Sequence, residues 1–125
     1  MNGNPSAKQK RFQEDLREMG CIVTDSPNVE IHHIFGSKMK ARIFDQSMDP
    51  PEPIEKPGEW FVIPLHNQVH NNIGKYSFES ERGLFLSTLT KYHVYFDYPA
   101  PVPIECVEYY KAMMHKHDIT KGLGI

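Results

Sequence analysis

Seven of the 125 residues are histidines, and four of these fall into two close pairs, His32-His33 and His66 with His70. Imidazole is the side chain that both ligates divalent metals and moves protons near neutral pH. His66 and His70 are four apart, so on a helix they share one face and can reach a single ion. The H-x-x-x-H spacing is that of many metal sites. His32 and His33 are adjacent, so on a strand they point to opposite faces. One can then face an ion while the other cannot. His32, His66 and His70 would supply three neutral nitrogen ligands and leave a coordination position open, the pattern of a catalytic centre. His33 would stay unligated and available as a general base. Below about pH 6 a protonated imidazole can no longer serve as one.

Positioning these rings requires a strand that ends in His32-His33 and a helix that begins at His66. Residues 29–34 (VEIHHI) read as that strand. Residues 21–24 (CIVT) read as its hairpin partner across the turn Asp25-Ser26-Pro27-Asn28. WFVIPL (60–65) reads as a further short apolar strand, and HNQVHNNI (66–73) as the short metal helix. A first helix is expected over 6–19, capped by Ser6 and ended by Gly20, with Phe12, Leu16 and Met19 on its apolar face. A longer helix is expected over about 78–92 after an N-cap at Ser77, followed by an extended stretch from His93 to Pro103. A last helix is expected over 104–117. Residues 35–44 form an irregular arm. Residues 45–59 carry four prolines and five acidic residues, too many breakers for a helix or a central strand, and read as a loop insertion. The expected class is α+β: an antiparallel hairpin with a metal helix packed on it, and helices flanking both ends. One domain is expected over 1–125, with a core at 21–76 and a C-terminal helical extension at 77–125.

Composition narrows the function classes. Apolar residues make up 39% and charged residues 24%, which is globular rather than disordered. No apolar run reaches the roughly 18–20 residues of a membrane helix, and the polar N-terminus has no secretory core, so no membrane partner and a cytoplasmic location are expected. Cys21 and Cys106 form neither a disulfide framework nor a four-thiolate zinc site. The net charge of -2 argues against coating nucleic acid by charge alone.

The run IHHIFG (31–36) and the run WFVIPLHNQVHNN (60–72), placed as strand, strand and helix, resemble the HNH, or ββα-metal (His-Me finger), nucleases. HH followed by H-x-x-x-H is similar to the nuclease colicins. The local text, from CIVT and VEIHHI through IPL to IGKYSFE, is similar to the phage Ref-type, RecA-dependent nucleases. The resemblance covers about residues 20–82. It implies a ββα-metal core and a metal-dependent DNA endonuclease of phage or prophage origin, linked to recombination. One divalent ion is implied, zinc as bound, with magnesium, manganese or nickel as working alternatives. The implied partners are DNA and a RecA-type recombinase filament. The implied ligands are His32, His66 and His70, with His33 as base, and the implied products are 5′-phosphate and 3′-hydroxyl ends.

The chain departs from the family pattern in three places. Thr24 stands where relatives carry the second cysteine of C-x-x-C, which removes a structural zinc. His66 stands where many carry cysteine. No Asn lies between His33 and His66, so the group that orients the base falls to a backbone carbonyl near Trp60 or Phe61, or to Glu59. Without turnover, the same fold would be a metal-stabilised DNA-binding or recombination accessory module.

Lys38, Lys40 and Arg42 follow the His pair and read either as phosphate contacts or as a solvated loop. Asn67 and Lys75 are further candidates for substrate contact, and Arg82 is a weaker one. The aromatic group Tyr92, Tyr95, Phe96 and Tyr98 reads as core rather than as a base-stacking platform.

Overall fold

A computed structural model describes residues 5–72 and 83–122, without the side chains of 70–72 and 121. The chain opens with α1 (Ala7–Met19), where local sequence and structure agree. The Ser6 hydroxyl accepts the Gln9 N–H at 3.2 Å, and the Gln9 side-chain oxygen accepts the Ser6 N–H at 2.8 Å. This reciprocal box satisfies two donors that a helix start leaves unpaired. Gly20, at φ 92°, ends the helix and donates its N–H to the Leu16 carbonyl. Phe12, Leu16 and Met19 are buried, as their spacing requires. Ser6→Ala is expected to cost about 1 kcal/mol, read as a lower urea midpoint with an unchanged slope.

Two strands form the main ladder. β1 (Val29–His33) pairs antiparallel with β4 (Val62–His66), in the register Val29↔His66 through His33↔Val62. The hairpin expected between 21–24 and 29–34 is not formed. Residues 22–24 are a turn, wound around a buried sulfur: Cys21 Sγ accepts the N–H groups of Val23 and Thr24, both at 3.4 Å. Asp25, at φ 61°, completes the reversal, and Asp25 N–H bonds the Cys21 carbonyl at 2.8 Å. N–H groups aimed at sulfur cannot build a ladder. The segment touches β4 through the Ile22 N–H, which donates to the Pro64 carbonyl at 3.0 Å, and through the His66 backbone at the Cys21 sulfur. Burial alone raises the Cys21 thiol pKa, but the Thr24 side chain and the surrounding N–H groups outweigh it and hold it below its usual value.

The acidic, proline-rich insertion contains β2 (Phe44–Asp45) and β3 (Glu52–Pro53), a separate two-residue antiparallel ladder. A 3-10 turn (Pro57–Glu59) follows, opened by its proline. The chain then enters β4 and passes directly into α2 (Asn67–Asn72). α3 (Leu84–Phe96) starts from Gly83, and the expected cap Ser77 lies outside the described residues. Residues 93–96, expected to be extended, continue this helix. Tyr92 and Phe96, four apart, stack with ring centroids 4.5 Å apart, and the left-handed Asp97 ends the helix. α4 (Ile104–Gly122) runs five residues past its expected end.

The class is therefore mixed α+β, with helices around two small antiparallel sheets. One cluster of buried residues gathers Phe12 and Leu16 of α1, Val62, Ile63 and Leu65 of β4, Phe85 and Tyr92 of α3, and Tyr110 of α4. Phe85 bridges Phe61 and Tyr110, at centroid distances of 5.6 and 4.8 Å. The C-terminal helices thus contribute side chains to the core. The Tyr92 hydroxyl donates to Asp15 at 2.7 Å, tying α3 to α1. Tyr95 and Tyr98 are half exposed, so only Tyr92 and Phe96 of that aromatic group serve the core. Cys106 is buried beside Glu105, and its thiol pKa is pushed up to about 12, mainly by burial. Among the described residues, no helix is long and apolar enough to cross a membrane.

Candidate active site

His33 ends β1 with its side chain partly exposed, and its Nε2 lies 2.8 Å from Glu59 Oε1. Glu59 is only 4% exposed, and an isolated carboxylate at that depth would be costly. The cost is met by two partners on the same oxygen: the His33 ring, and Gln13 Nε2 at 2.9 Å. Gln13 Nε2 also bonds the Glu59 carbonyl at 3.0 Å. One helical turn earlier, Gln9 Nε2 reaches the carbonyls of Glu55 and Lys56, at 3.1 and 2.9 Å. Two amides four residues apart on α1 therefore fasten the turn that presents Glu59.

This geometry selects a tautomer. An ionised carboxylate only accepts hydrogen bonds, so with a neutral ring the proton sits on His33 Nε2. The lone pair is then on Nδ1, the nitrogen free to take a proton. Glu59 also favours the imidazolium that forms once Nδ1 has done so. The arrangement is that of a general base with its orienting partner.

Close backbone contact sets the spacing. A Cβ at Gly58 would lie 2.4 Å from the Gly36 carbonyl oxygen and 3.1 Å from that of Ser37. Only glycine lets the arm after β1 approach the turn this closely. Beside the contact lies a cleft of about 500 Å³, lined by Ser37, Lys38, Met39, Lys40, Lys56, Pro57 and Glu59.

The expected metal ligands are placed differently. His32 is opposite Ile63 and His66 is opposite Val29, so the two lie on alternate faces of the ladder. They are three rungs apart, roughly 10 Å along the strand at ~3.3 Å per residue. His66 Nδ1 accepts the Gln68 N–H at 3.2 Å, as a cap on α2. These two donors do not fit one shared ion in this register. His70 belongs to α2, but its side chain lies outside the described residues. Among the described residues, no three His, Cys, Asp or Glu side chains are grouped as metal ligands.

Of the expected substrate contacts, Lys38 and Lys40 line the cleft beside Glu59. Arg42 is exposed farther along the arm and does not line it. Asn67 lies with His66 at the other end of the ladder, in a second cleft with Asn28 and Glu30. Lys75 and Arg82 lie outside the described residues. Sequence reasoning missed Gln13, Gly58 and Lys56. The readable signal was on α1, where Gln9 and Gln13 stand four apart beside the apolar stripe of Phe12 and Leu16. No family model, curated protein or solved structure matches the chain.

Proposed function

We propose that this chain is an HNH-type endonuclease that hydrolyses DNA phosphodiester bonds, with His33 as general base. The carrying observation is the partly buried contact of Glu59 with His33, Glu59 itself being held by Gln13. A carboxylate here supplies what the absent Asn would have supplied, an acceptor that fixes the ring. That favours turnover over a non-catalytic accessory module. The run β1, β4, α2 supports a ββα-metal core, with the acidic insertion lying between its two strands.

His33 Nδ1 takes a proton from water, and the resulting hydroxide attacks phosphorus. The bond from phosphorus to the 3′ oxygen breaks, and that oxygen takes a proton from solvent water, leaving a 5′-phosphate and a 3′-hydroxyl. A divalent ion, when bound, would stabilise charge on the leaving oxygen. The described donors do not build its site, and what the chain's own residues offer is a histidine oriented by a carboxylate. A phage or prophage origin and a RecA-type filament as partner rest on the resemblance alone.

The test is a cleavage assay on duplex DNA, on single strands and on recombinase-coated strands. Each is run with magnesium, manganese, zinc or nickel, and with chelator. Cleavage with a divalent ion, lost in chelator and giving the expected ends, supports the reading; cleavage that persists in chelator overturns the metal dependence. DNA binding without cleavage in every arm replaces it with the accessory module, and equal cleavage of all three substrates removes the filament.

A further inference from the structure

We propose that the cleft walled by Lys38, Lys40 and Lys56 is a phosphate subsite that holds the backbone of a nucleic acid strand next to the His33–Glu59 pair, without reading its bases. This deepens the nuclease reading and rests on it for its place beside the chemistry.

The cations come from both walls. Lys38 and Lys40 stand on the arm after β1, and Lys56 on the turn that ends in Glu59. Between Lys38 and Lys40, Met39 is half buried, and its Cγ would be 3.2 Å from a Cβ at Gly58. The arm is a built turn, with Gly36 N–H on the His33 carbonyl at 3.2 Å and Met39 N–H on the Gly36 carbonyl at 3.3 Å. Lys56 is fixed by its left-handed backbone, and its carbonyl accepts Gln9 Nε2 at 2.9 Å. Three lysines from two separate segments therefore border one cleft.

Among the described residues, the single acid in the lining is Glu59, already committed to His33 and Gln13. The lining favours an anion in a chain whose net charge is -2. Its chemistry also narrows the class of anion. Among the described residues, no aromatic ring lines the cleft to stack a base, and no Asn, Gln or Arg lines it to pair with a base edge. Lysines acting as point charges suit phosphate oxygens, which position a strand and carry no sequence information.

The test is fluorescence anisotropy of the full chain with a labelled 20-nucleotide single strand, in chelator, between 50 and 200 mM salt. Lys38→Ala, Lys40→Ala and Lys56→Ala should each weaken binding and flatten the slope of log affinity against log salt by ~0.7. Lys111→Ala, at an exposed position of α4, should change neither. Oligonucleotides of different sequence should bind within about threefold of one another. Inorganic phosphate or a mononucleotide should compete no better than chloride of equal ionic strength; stronger competition would make this a site for free phosphate and overturn the strand. A triple lysine variant with wild-type affinity and slope would overturn the subsite. Lysine-dependent binding without cleavage under any condition keeps the subsite and removes the nuclease. Cleavage with a KM unchanged by the lysine variants does the reverse.

Discussion

His33→Ala should lower the single-turnover rate of DNA cleavage by at least a hundredfold while leaving DNA affinity within a few fold of wild type. General bases typically contribute 10²- to 10⁴-fold. His33 lies at a strand end and is partly exposed, so its truncation opens no core cavity. Glu59 is left with Gln13 as its remaining side-chain donor, at a moderate cost in stability. Glu59→Gln is the finer probe. Both His33 and Gln13 use Oε1, and an amide oxygen in that place still accepts from both. What is lost is the negative charge opposite the imidazolium. Exchanging a charge-assisted hydrogen bond for a neutral one costs ~1–2 kcal/mol, or about tenfold in rate. Wild-type cleavage by His33→Ala would remove His33 from the chemistry. An inactive His33→Ala with a fully active Glu59→Gln would leave the base and remove its partner.

Gly58→Ala should both destabilise the protein and impair cleavage. The added methyl meets the Gly36 carbonyl oxygen at 2.4 Å, and that oxygen is backbone, unable to rotate away. The arm or the turn must shift. Overpacking of this kind typically costs 1–3 kcal/mol, read as a lower urea midpoint. The shift also acts on the site, because Glu59 is the next residue and His33 lies three before Gly36. A displacement near 1 Å is enough to cost ~10²-fold where a reacting group must be aligned. Gly83→Ala is the matched control. Gly83 also needs its glycine backbone, at φ 78°, but among the described residues nothing lies within 4 Å of its Cβ position. That substitution should cost stability, roughly 1–2 kcal/mol from left-handed strain, and leave the cleavage rate of the folded protein unchanged. Equal cleavage by both folded variants would detach the close approach from the site.

Local signals in the sequence were decisive where the physics is local. Ser6, Gln9 and Gly20 mark both ends of α1, and Phe12, Leu16 and Met19 mark its buried face. The apolar run before His66 marks β4, and the helix starts one residue later. The signals failed where a distant partner decides. CIVT has strand composition, but its N–H groups serve the Cys21 sulfur, and β1 instead pairs with β4 across a long insertion. Register follows from that choice of partner, and register decides which histidines share a face. His32 and His66 were legible as types but not as neighbours. Glu59 was legible as one of three orienting groups, whereas the Gln13 that holds it was not, because that contact spans 46 residues. Tyr92 and Phe96 read as the end of a helix only once their rings are seen to stack.

The turn that carries Glu59 is fastened by the amides of Gln9 and Gln13, which bear no formal charge. Dissolved ions weaken attraction between exposed charges but scarcely touch a buried amide bond. Raising ionic strength should therefore loosen the lysines' grip on a polyanion well before it disturbs the alignment of the ring beside them. If the lysine cleft and the His33–Glu59 pair act as proposed, capture and alignment would be governed by different forces, and the medium could tune the first without spoiling the second.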